Sequence, residues 1–350
     1  MQQPLCHDSE RSALLQFKQS FLIDGHASGD PSAYPKVAIS CLYGSINSNS
    51  TLFSLVHLRR LDLSDNDFNY SQIPFGVGQL SRLRSLDLSS DRFAGQIPSE
   101  LLALSKLVFL NLSANPIFSG ELPTSIGRLG SLTKLDISSC NFTGLVPSPL
   151  GHLSQLSYLD LSNNFFSGQI PSSMANLTRL TFLDLSLNNL EADNSLNGTF
   201  PDFLQNQDEL EVLFLSDNKI HGPIPKWMWN ISQENLDILE LDSNINKLIG
   251  EISPLICNMS SLILLDLSSN NLSGRIPQCL ANLSKSLFIL DLGSNNLDGP
   301  IPQTCTVPNN LRVIDLGENQ FQGQIPRSFA NCMMLEHLVC RDLRWIHKAS

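Results

Sequence analysis

Leu159-Asp160-Leu161-Ser162-Asn163-Asn164-Phe165-Phe166-Ser167-Gly168-Gln169-Ile170-Pro171 decides how this chain folds, because its grammar recurs along most of the sequence. The motif Leu-x-Leu starts at Leu61, Leu86, Leu110, Leu135, Leu159, Leu183, Leu213, Leu239, Leu265 and Leu290, with Ile314 in the same role, at steps of 24 to 30 residues. A period in this range marks an array in which each repeat is one coil. One coil cannot bury its own apolar face; stacking against its neighbours does so.

Each position has a physical reason. In Leu-x-Leu the two leucines share one face of a short strand and the residue between them points the other way. Five residues after the first leucine stands an asparagine: Asn66, Asn115, Asn164, Asn188, Asn218, Asn244, Asn270, Asn295 and Asn319. A compact amide offers one acceptor and two donors, so stacked coils are expected to carry an asparagine ladder that bonds backbone groups of its own and the adjacent coil. Cys140 fills one further rung and Asp91 another, and an ionised Asp91 cannot donate.

Two residues on comes an apolar side chain, such as Phe68, Phe93 or Phe142. Glycines such as Gly144, Gly168 and Gly274 come after it, suiting a bend that needs positive φ or close packing. An Ile-Pro pair is next, as at Ile170-Pro171 and Ile276-Pro277, where the proline can open a helical turn. Leucines such as Leu101, Leu104 and Leu107 close the core. The 30-residue step from Leu183 to Leu213 contains Glu191-Ala-Asp-Asn-Ser-Leu-Asn197, read as a loop insertion on one rim. The expected fold is an α/β repeat solenoid, a superhelix with a parallel β-sheet on the concave face and short helical or 3-10 turns on the convex face.

The composition narrows the function classes. Of 350 residues, 42% are hydrophobic and 16% charged, which provides a large core and excludes a disordered tail. The net charge of −11, with no basic run, argues against nucleic acid or an anionic membrane surface as partner. No window of about 18 apolar residues provides a membrane span, and Met1–Cys6 lacks the apolar segment of a signal peptide. Eight cysteines without a C-x-x-C pair support neither a disulfide scaffold nor a zinc or thioredoxin-type site. No metal or cofactor is expected. Cys257, Cys279, Cys305 and Cys332 lie at different offsets within their repeats, which leaves adjacent-coil disulfides open.

Catalytic motifs are missing too. Gly76-Val-Gly78 lacks the third glycine of a phosphate loop, neither Gly-x-Ser-x-Gly nor His-Glu-x-x-His occurs, and the seven histidines are scattered. The acidic column Asp62, Asp87, Asp136, Asp160, Asp184, Glu240, Asp266, Asp291 and Asp315 fills the x of Leu-x-Leu. These carboxylates sit one coil apart on an open, solvated sheet, so they are not read as an acid–base pair and the chain is not expected to be an enzyme.

The same face is the candidate ligand site. The residue before each first leucine forms a second column, Phe109, Lys134, Tyr158, Phe182, Val212, Ile238, Leu264, Ile289 and Val313, and Phe214 interrupts the acidic one. These side chains cannot reach the core if the leucines beside them do. Exposed aromatics beside charge have the composition of binding hot spots. The candidate ligand-binding residues are Phe109, Tyr158, Phe182, Phe214, Asp136, Asp160, Asp184 and Glu240. Asn-x-Ser/Thr acceptors at Asn49, Asn69, Asn111, Asn141, Asn176, Asn197, Asn230, Asn258, Asn271 and Asn282 point to the secretory route.

With Leu-x-x-Leu-x-Leu-Ser-x-Asn-x-Leu-x-Gly-x-Ile-Pro assembled, the sequence resembles the plant class of leucine-rich repeats. It closely resembles the receptor-like proteins of the disease-resistance class, such as those conferring resistance to leaf mould and apple scab. The matching stretch runs from about Cys41 to Leu338, and Cys6–Lys18 resembles the start of the family's N-terminal cap. The cap's Cys-Cys-x-Trp segment is missing, so the usual partner of Cys6 is absent, and residues 341–350 lack the repeat grammar. The expected organisation is an incomplete cap over 1–40, about eleven to twelve repeats over 41–338, and a divergent tail over 339–350, as in a truncated or spliced product.

The resemblance implies an ectodomain that binds a protein, peptide or glycan elicitor in pathogen perception. In the full-length protein it would act with a co-receptor kinase at the extracellular face of the plasma membrane. The alternatives are a soluble apoplastic inhibitor resembling the polygalacturonase-inhibiting proteins, or a non-functional splice fragment.

Overall fold

A computed structural model of the chain describes residues 12, 16–17, 22–23, 42–191, 200–243, 246–280, 285–303, 305 and 309–341. The expectations for Cys6, Cys41 and the rest of the cap, for the 192–199 part of the insertion, for Asn197, Asn244 and Asn282, and for residues 342–350 lie outside the described residues. The chain divides into two compact units, Met1–Phe166 and Ser167–Ser350.

In the first unit the strands Arg60–Asp62, Ser85–Asp87, Phe109–Asn111, Lys134–Asp136 and Tyr158–Asp160 pair in parallel, in sequence order, with their central leucines in register. Those leucines are buried, as are Leu63, Leu88, Leu112, Ile137 and Leu161 two residues on. Behind them stack phenylalanines seven residues after the first leucine of each strand, or eight at Phe118, where the extra residue Ile117 is turned outward. Ring centroids are 4.9 Å apart for Phe68–Phe93, 5.7 Å for Phe118–Phe142 and 6.3 Å for Phe142–Phe166. Leu22–Ile23 adds an antiparallel pairing with Leu42–Tyr43.

In the second unit the strands Phe182–Asp184, Val212–Phe214, Ile238–Glu240, Leu264–Asp266, Ile289–Asp291, Val313–Asp315 and His337–Val339 repeat the arrangement. This unit also has a second parallel sheet that the repeat grammar does not announce. Its strands are His221–Pro223, Lys247–Glu251, Asn271–Arg275, Asn296–Gly299 and Gln320–Phe321. They come just after the rung asparagines, where backbone leaving the ladder pairs with the same segment of the next coil.

The ladder explains the spacing. Asn115 Nδ2 donates to the carbonyls of Leu88, Leu112 and Ser113 at 2.7, 2.9 and 3.2 Å, and its Oδ1 accepts from the Phe93 N–H at 2.8 Å. One amide therefore satisfies backbone groups of two coils, which buried backbone requires. Asn164, Asn218, Asn270, Asn295 and Asn319 repeat the pattern. Cys140 takes its rung as a donor, with Sγ 3.3 Å from the Leu112 carbonyl. One rung is displaced from expectation: Asn246, not a residue five after Leu239, accepts from the Ile220 N–H at 3.0 Å and donates to the Leu215 carbonyl at 3.3 Å. Five residues, rather than three, take the chain from Leu241 to this rung.

The residue before the rung takes a left-handed backbone coil after coil, with φ of 59° at Asp65, 55° at Ala114, 53° at Leu187 and 53° at Glu318. The glycine after the rung also needs positive φ. Gly144 has φ 79°, and a Cβ there would stand 2.7 Å from Glu121 Cγ. The return path begins at proline, as a 3-10 rather than an α turn: Thr124–Arg128 starts after Pro123, Ser172–Asn176 after Pro171 and Lys226–Asn230 after Pro225. Adjacent coils of the second unit are joined by disulfides Cys257–Cys279 and Cys305–Cys332, with Cα atoms 5.9 and 5.4 Å apart.

Candidate functional site on the open face of the strands

Because the leucines of each strand turn inward, the residues on either side turn outward. In the first unit this brings Phe109, Lys134 and Tyr158 into one half-buried column on consecutive strands. Lys134 Nζ lies 3.7 Å from the Tyr158 ring centroid and 5.7 Å from that of Phe109. A lysine held over two rings gives the surface a fixed cation with apolar flanks.

The acidic column beside it is partly a structural device. The Oδ1 of Asp136 accepts from both the N–H and the hydroxyl of Ser138, at 3.2 and 2.8 Å. Asp62 with Ser64, Asp87 with Ser89, Asp160 with Ser162 and Asp184 with Ser186 repeat this. One carboxylate oxygen therefore holds the turn out of the strand. The signal was present as the serine of Leu-Asp-Leu-Ser, and it concerns the turn, not a ligand.

Asp160 departs from expectation. It is buried, because the Tyr158 hydroxyl lies 3.4 Å from its second oxygen and Ser162 covers the first. Asn111, an acceptor in the sequon reading, is half-buried in the same column and its Nδ2 donates to Asp87 Oδ2 at 3.4 Å. Asp62 carries its own counterion, with Arg60 at 3.2 Å. Burial raises its pKa, but hydrogen bonds from Ser64 and Arg60 and the Arg60 charge outweigh this and leave it lowered.

In the second unit Phe182 and Phe214 meet edge to face with centroids 6.0 Å apart, while Leu183 and Leu213 between them and the core are buried completely. Beyond them run Val212, Ile238, Leu264, Ile289 and Val313, all half-buried, beside Glu240, Asp266, Asp291 and Asp315. Partial burial, then the charges of Asp242, Asp266 and Asp184, push the Glu240 carboxyl up to about 7. Asp291 is pushed up to about 6 by burial and by Asp266, Asp315 and Asp242, against the Gly293 N–H. Asp266 is raised by burial and by Asp242 and Asp315, against hydrogen bonds from the Ser268 N–H and hydroxyl.

At two coils the serine is replaced by Gly293 and Gly317, whose N–H groups bond Asp291 and Asp315 at 2.9 and 2.8 Å. Without those side chains the face opens into a depression of about 370 Å³ lined by Asp291, Asp315, Glu318 and Arg341. Among the described residues no cluster of His, Cys, Asp or Glu is placed to hold a metal ion.

Among the described residues seven acceptor asparagines are exposed: Asn49, Asn69, Asn141, Asn176, Asn230, Asn258 and Asn271. None of them lies in the strand triplets of the open face. Asn176, Asn230 and Asn258 close 3-10 turns, and Asn271 opens a strand of the second sheet.

Parallel strand triplets, an asparagine ladder and proline-started turns define a leucine-rich-repeat protein of the plant type. The chain belongs to the leucine-rich-repeat family: its leucine-rich repeat region matches residues 39–282, and a further leucine-rich repeat matches 310–332. It is similar to Receptor-like protein 7 of Arabidopsis thaliana, at 37% identity over 118 residues, which is 29% of this chain and 12% of that protein. It is also similar to Receptor-like protein 53 of the same plant, at 41% identity over 106 residues, 25% of this chain and 11% of that protein. The matched stretches thus span a small part of these relatives.

Among solved structures, a TDR receptor aligns with a TM-score of 0.77 and 29% identity, over 87% of this chain and 54% of that one. The Arabidopsis receptor kinase HAESA, solved with the peptide hormone IDA and the co-receptor SERK1, aligns with a TM-score of 0.72 and 31% identity, over 87% and 52%. Among the described residues no helix is long and apolar enough to cross a membrane.

Proposed function

We propose that this chain is an extracellular ligand-recognition region of a plant receptor-like protein in defence signalling, and that it works by binding and not by catalysis. The observation that carries the reading is the Phe182–Phe214 pair. Two aromatic side chains stand half-buried on the open face while the leucines beside them fill the core, and aromatics in such a place have the composition of a binding hot spot. The Lys134–Tyr158 contact offers a second anchor in the first unit. Phe109, Tyr158 and Asp136 would contribute on one unit, and Phe182, Phe214, Asp184 and Glu240 on the other, while Asp160 stays buried beneath Tyr158 and Ser162.

HAESA binds a peptide hormone and a co-receptor, and this supports a peptide elicitor read on the strands, with a co-receptor kinase joining in the full-length protein at the extracellular face of the plasma membrane. The test is binding of the secreted chain to a panel of synthetic apoplastic peptides, chitin oligomers and oligogalacturonides, repeated with Phe182→Ala, Phe214→Ala and Tyr158→Ala. We expect a peptide to bind and each variant to weaken it about tenfold or more. Retained affinity in folded variants overturns the site. Inhibition of a fungal polygalacturonase, with no peptide bound, overturns the receptor reading in favour of an inhibitor.

A further inference from the structure

Asn141 begins the acceptor sequence Asn141-Phe142-Thr143. Phe142 turns inward, with its ring between those of Phe118 and Phe166. Alternation along the strand therefore points Asn141 and Thr143 outward, and both are exposed. The Phe165 N–H donates to the Phe142 carbonyl at 2.8 Å, which sets Phe165 opposite Thr143 on the next coil, about 5 Å from it, and diagonal to Asn141. Phe165 is 60% exposed, and Leu145, two residues beyond Thr143 on the same face, is 63% exposed. Ile117, whose neighbour Phe118 stacks on Phe142, is 43% exposed. An acceptor asparagine thus shares an exposed flank with three bare apolar side chains.

Such a patch marks something that covers it. A neighbouring protein would meet the acceptor on the same flank, whereas a sugar attached to that acceptor is held beside Phe165 by its own linkage. The pattern recurs in the second unit, where Asn271 pairs directly with Ile249, itself 47% exposed.

We propose that Asn141 carries an N-linked glycan whose first N-acetylglucosamine packs on the ring of Phe165, with Leu145 and Ile117 at its margins. The attachment joins Asn141 Nδ2 to the sugar's anomeric carbon, breaks that carbon's bond to a lipid pyrophosphate carrier and releases one Nδ2 proton, with no redox change. The apolar C–H face of the pyranose then removes Phe165 from water, and the polar edge of the sugar becomes the new surface. The glycan is thereby part of the fold's packing at this flank and is less open to enzymes than a glycan on a 3-10 turn.

This inference rests on the secretory route that the proposed function requires. The full chain, secreted from plant cells behind a supplied leader, is analysed by glycopeptide mass spectrometry at Asn141, Asn176, Asn230 and Asn258. Wild type, Phe165→Ser, Asn141→Gln and the double variant are then melted and treated with peptide N-glycosidase without denaturant. We expect Asn141 to be occupied and to be released more slowly than the turn sites. Phe165→Ser should lower the melting midpoint by about 2 °C and speed release at Asn141, with no effect on the midpoint in the Asn141→Gln background. An empty Asn141 beside occupied turn sites overturns the proposal and leaves the secretory route standing, and four empty sites overturn both. An equal effect of Phe165→Ser with and without Asn141, or none at all, also overturns it, since a contact between the two must appear as non-additivity.

Discussion

Arg92 Nη1 lies 2.7 Å from Asp67 Oδ2, and so its charge serves the neighbouring coil rather than Asp91, the residue beside it in sequence. Asp91 is completely buried in the ladder. One oxygen accepts from the Asn66 N–H at 2.9 Å and the other has no partner among the described residues. Burial drives its carboxyl well above the usual range, with smaller upward pushes from Asp87, Asp65 and Asp62.

Asp91→Asn should therefore stabilise the chain, by about 1–3 kcal/mol near neutral pH, the cost of a buried unsatisfied group. The sign with pH is fixed by linkage. A carboxyl whose folded pKa is raised binds more protons folded than unfolded, so its stability contribution is full at low pH and is lost as pH rises from about 4 through the folded value. The gain in melting temperature for Asp91→Asn should be larger at pH 7 than at pH 4, and a gain that shrinks as pH rises would contradict this.

Glu240 and Asp291 carry the same sign at the open face, with folded values of about 7 and about 6. Both lose native-state protons between about pH 4 and pH 7, so stability should decline across that window. Glu240→Gln should flatten the upper part of the decline, measured by thermal melts at pH 5 and pH 8 in low salt. Equal slopes for wild type and variant would refute the assignment.

Gln207 sits in the leucine column that closes each 3-10 turn, in the place held by Leu129, Leu153 and Leu177. It is completely buried and neither amide atom has a partner among the described residues. Its backbone N–H still closes the turn at 3.1 Å from the Leu204 carbonyl. Gln207→Leu should raise stability by about 1–3 kcal/mol, read as a higher denaturant midpoint at unchanged slope.

Cys140 and Cys340 are the free thiols among the described residues. Burial, before any other influence, pushes the Cys140 thiol up to about 12, while Cys340 is only partly covered. Iodoacetamide on the native chain should label Cys340 and spare Cys140 until denaturant is added, since the thiolate is the reacting form. Rapid native labelling at Cys140 would show that its rung opens.

Most of the ladder was legible because Leu-x-Leu and Asn recur at fixed offsets, and each offset has one geometric meaning. The displaced rung was not. Counting forward from Leu239 reaches Asn244, also an asparagine, and only counting back from Leu248 and Gly250 reaches Asn246. The left-handed residue before each rung was invisible because Asp65, Ala114, Leu187 and Glu318 share no side-chain property. Disulfide pairing was open because the four cysteines have different offsets, and it is settled only by which Cα atoms the coils bring within bridging reach. On the open face the columns of Phe109, Tyr158, Phe182 and Phe214 were legible by alternation. The burial of Asp160 was not, because it depends on how the Tyr158 ring folds down over its neighbour.

The two additional residues before Asn246 separate two spacings, strand to rung and rung to glycine, that run together at most other coils. The amide still reaches Ile220 and Leu215 on the preceding coil, and Leu248 still donates to Asn270 on the next, at 3.1 Å. At this coil the rung keeps its spacing to the apolar residue and the glycine on its C-terminal side, whereas at Asn115 it keeps its spacing to the strand, and Phe118 and Gly120 come one residue late. Chain inserted between strand and rung is absorbed within a single coil, and both neighbours continue as if nothing had been added. A loop at that position can be lengthened, or exchanged for one of different chemistry, beside the open face without the register of any other coil having to change.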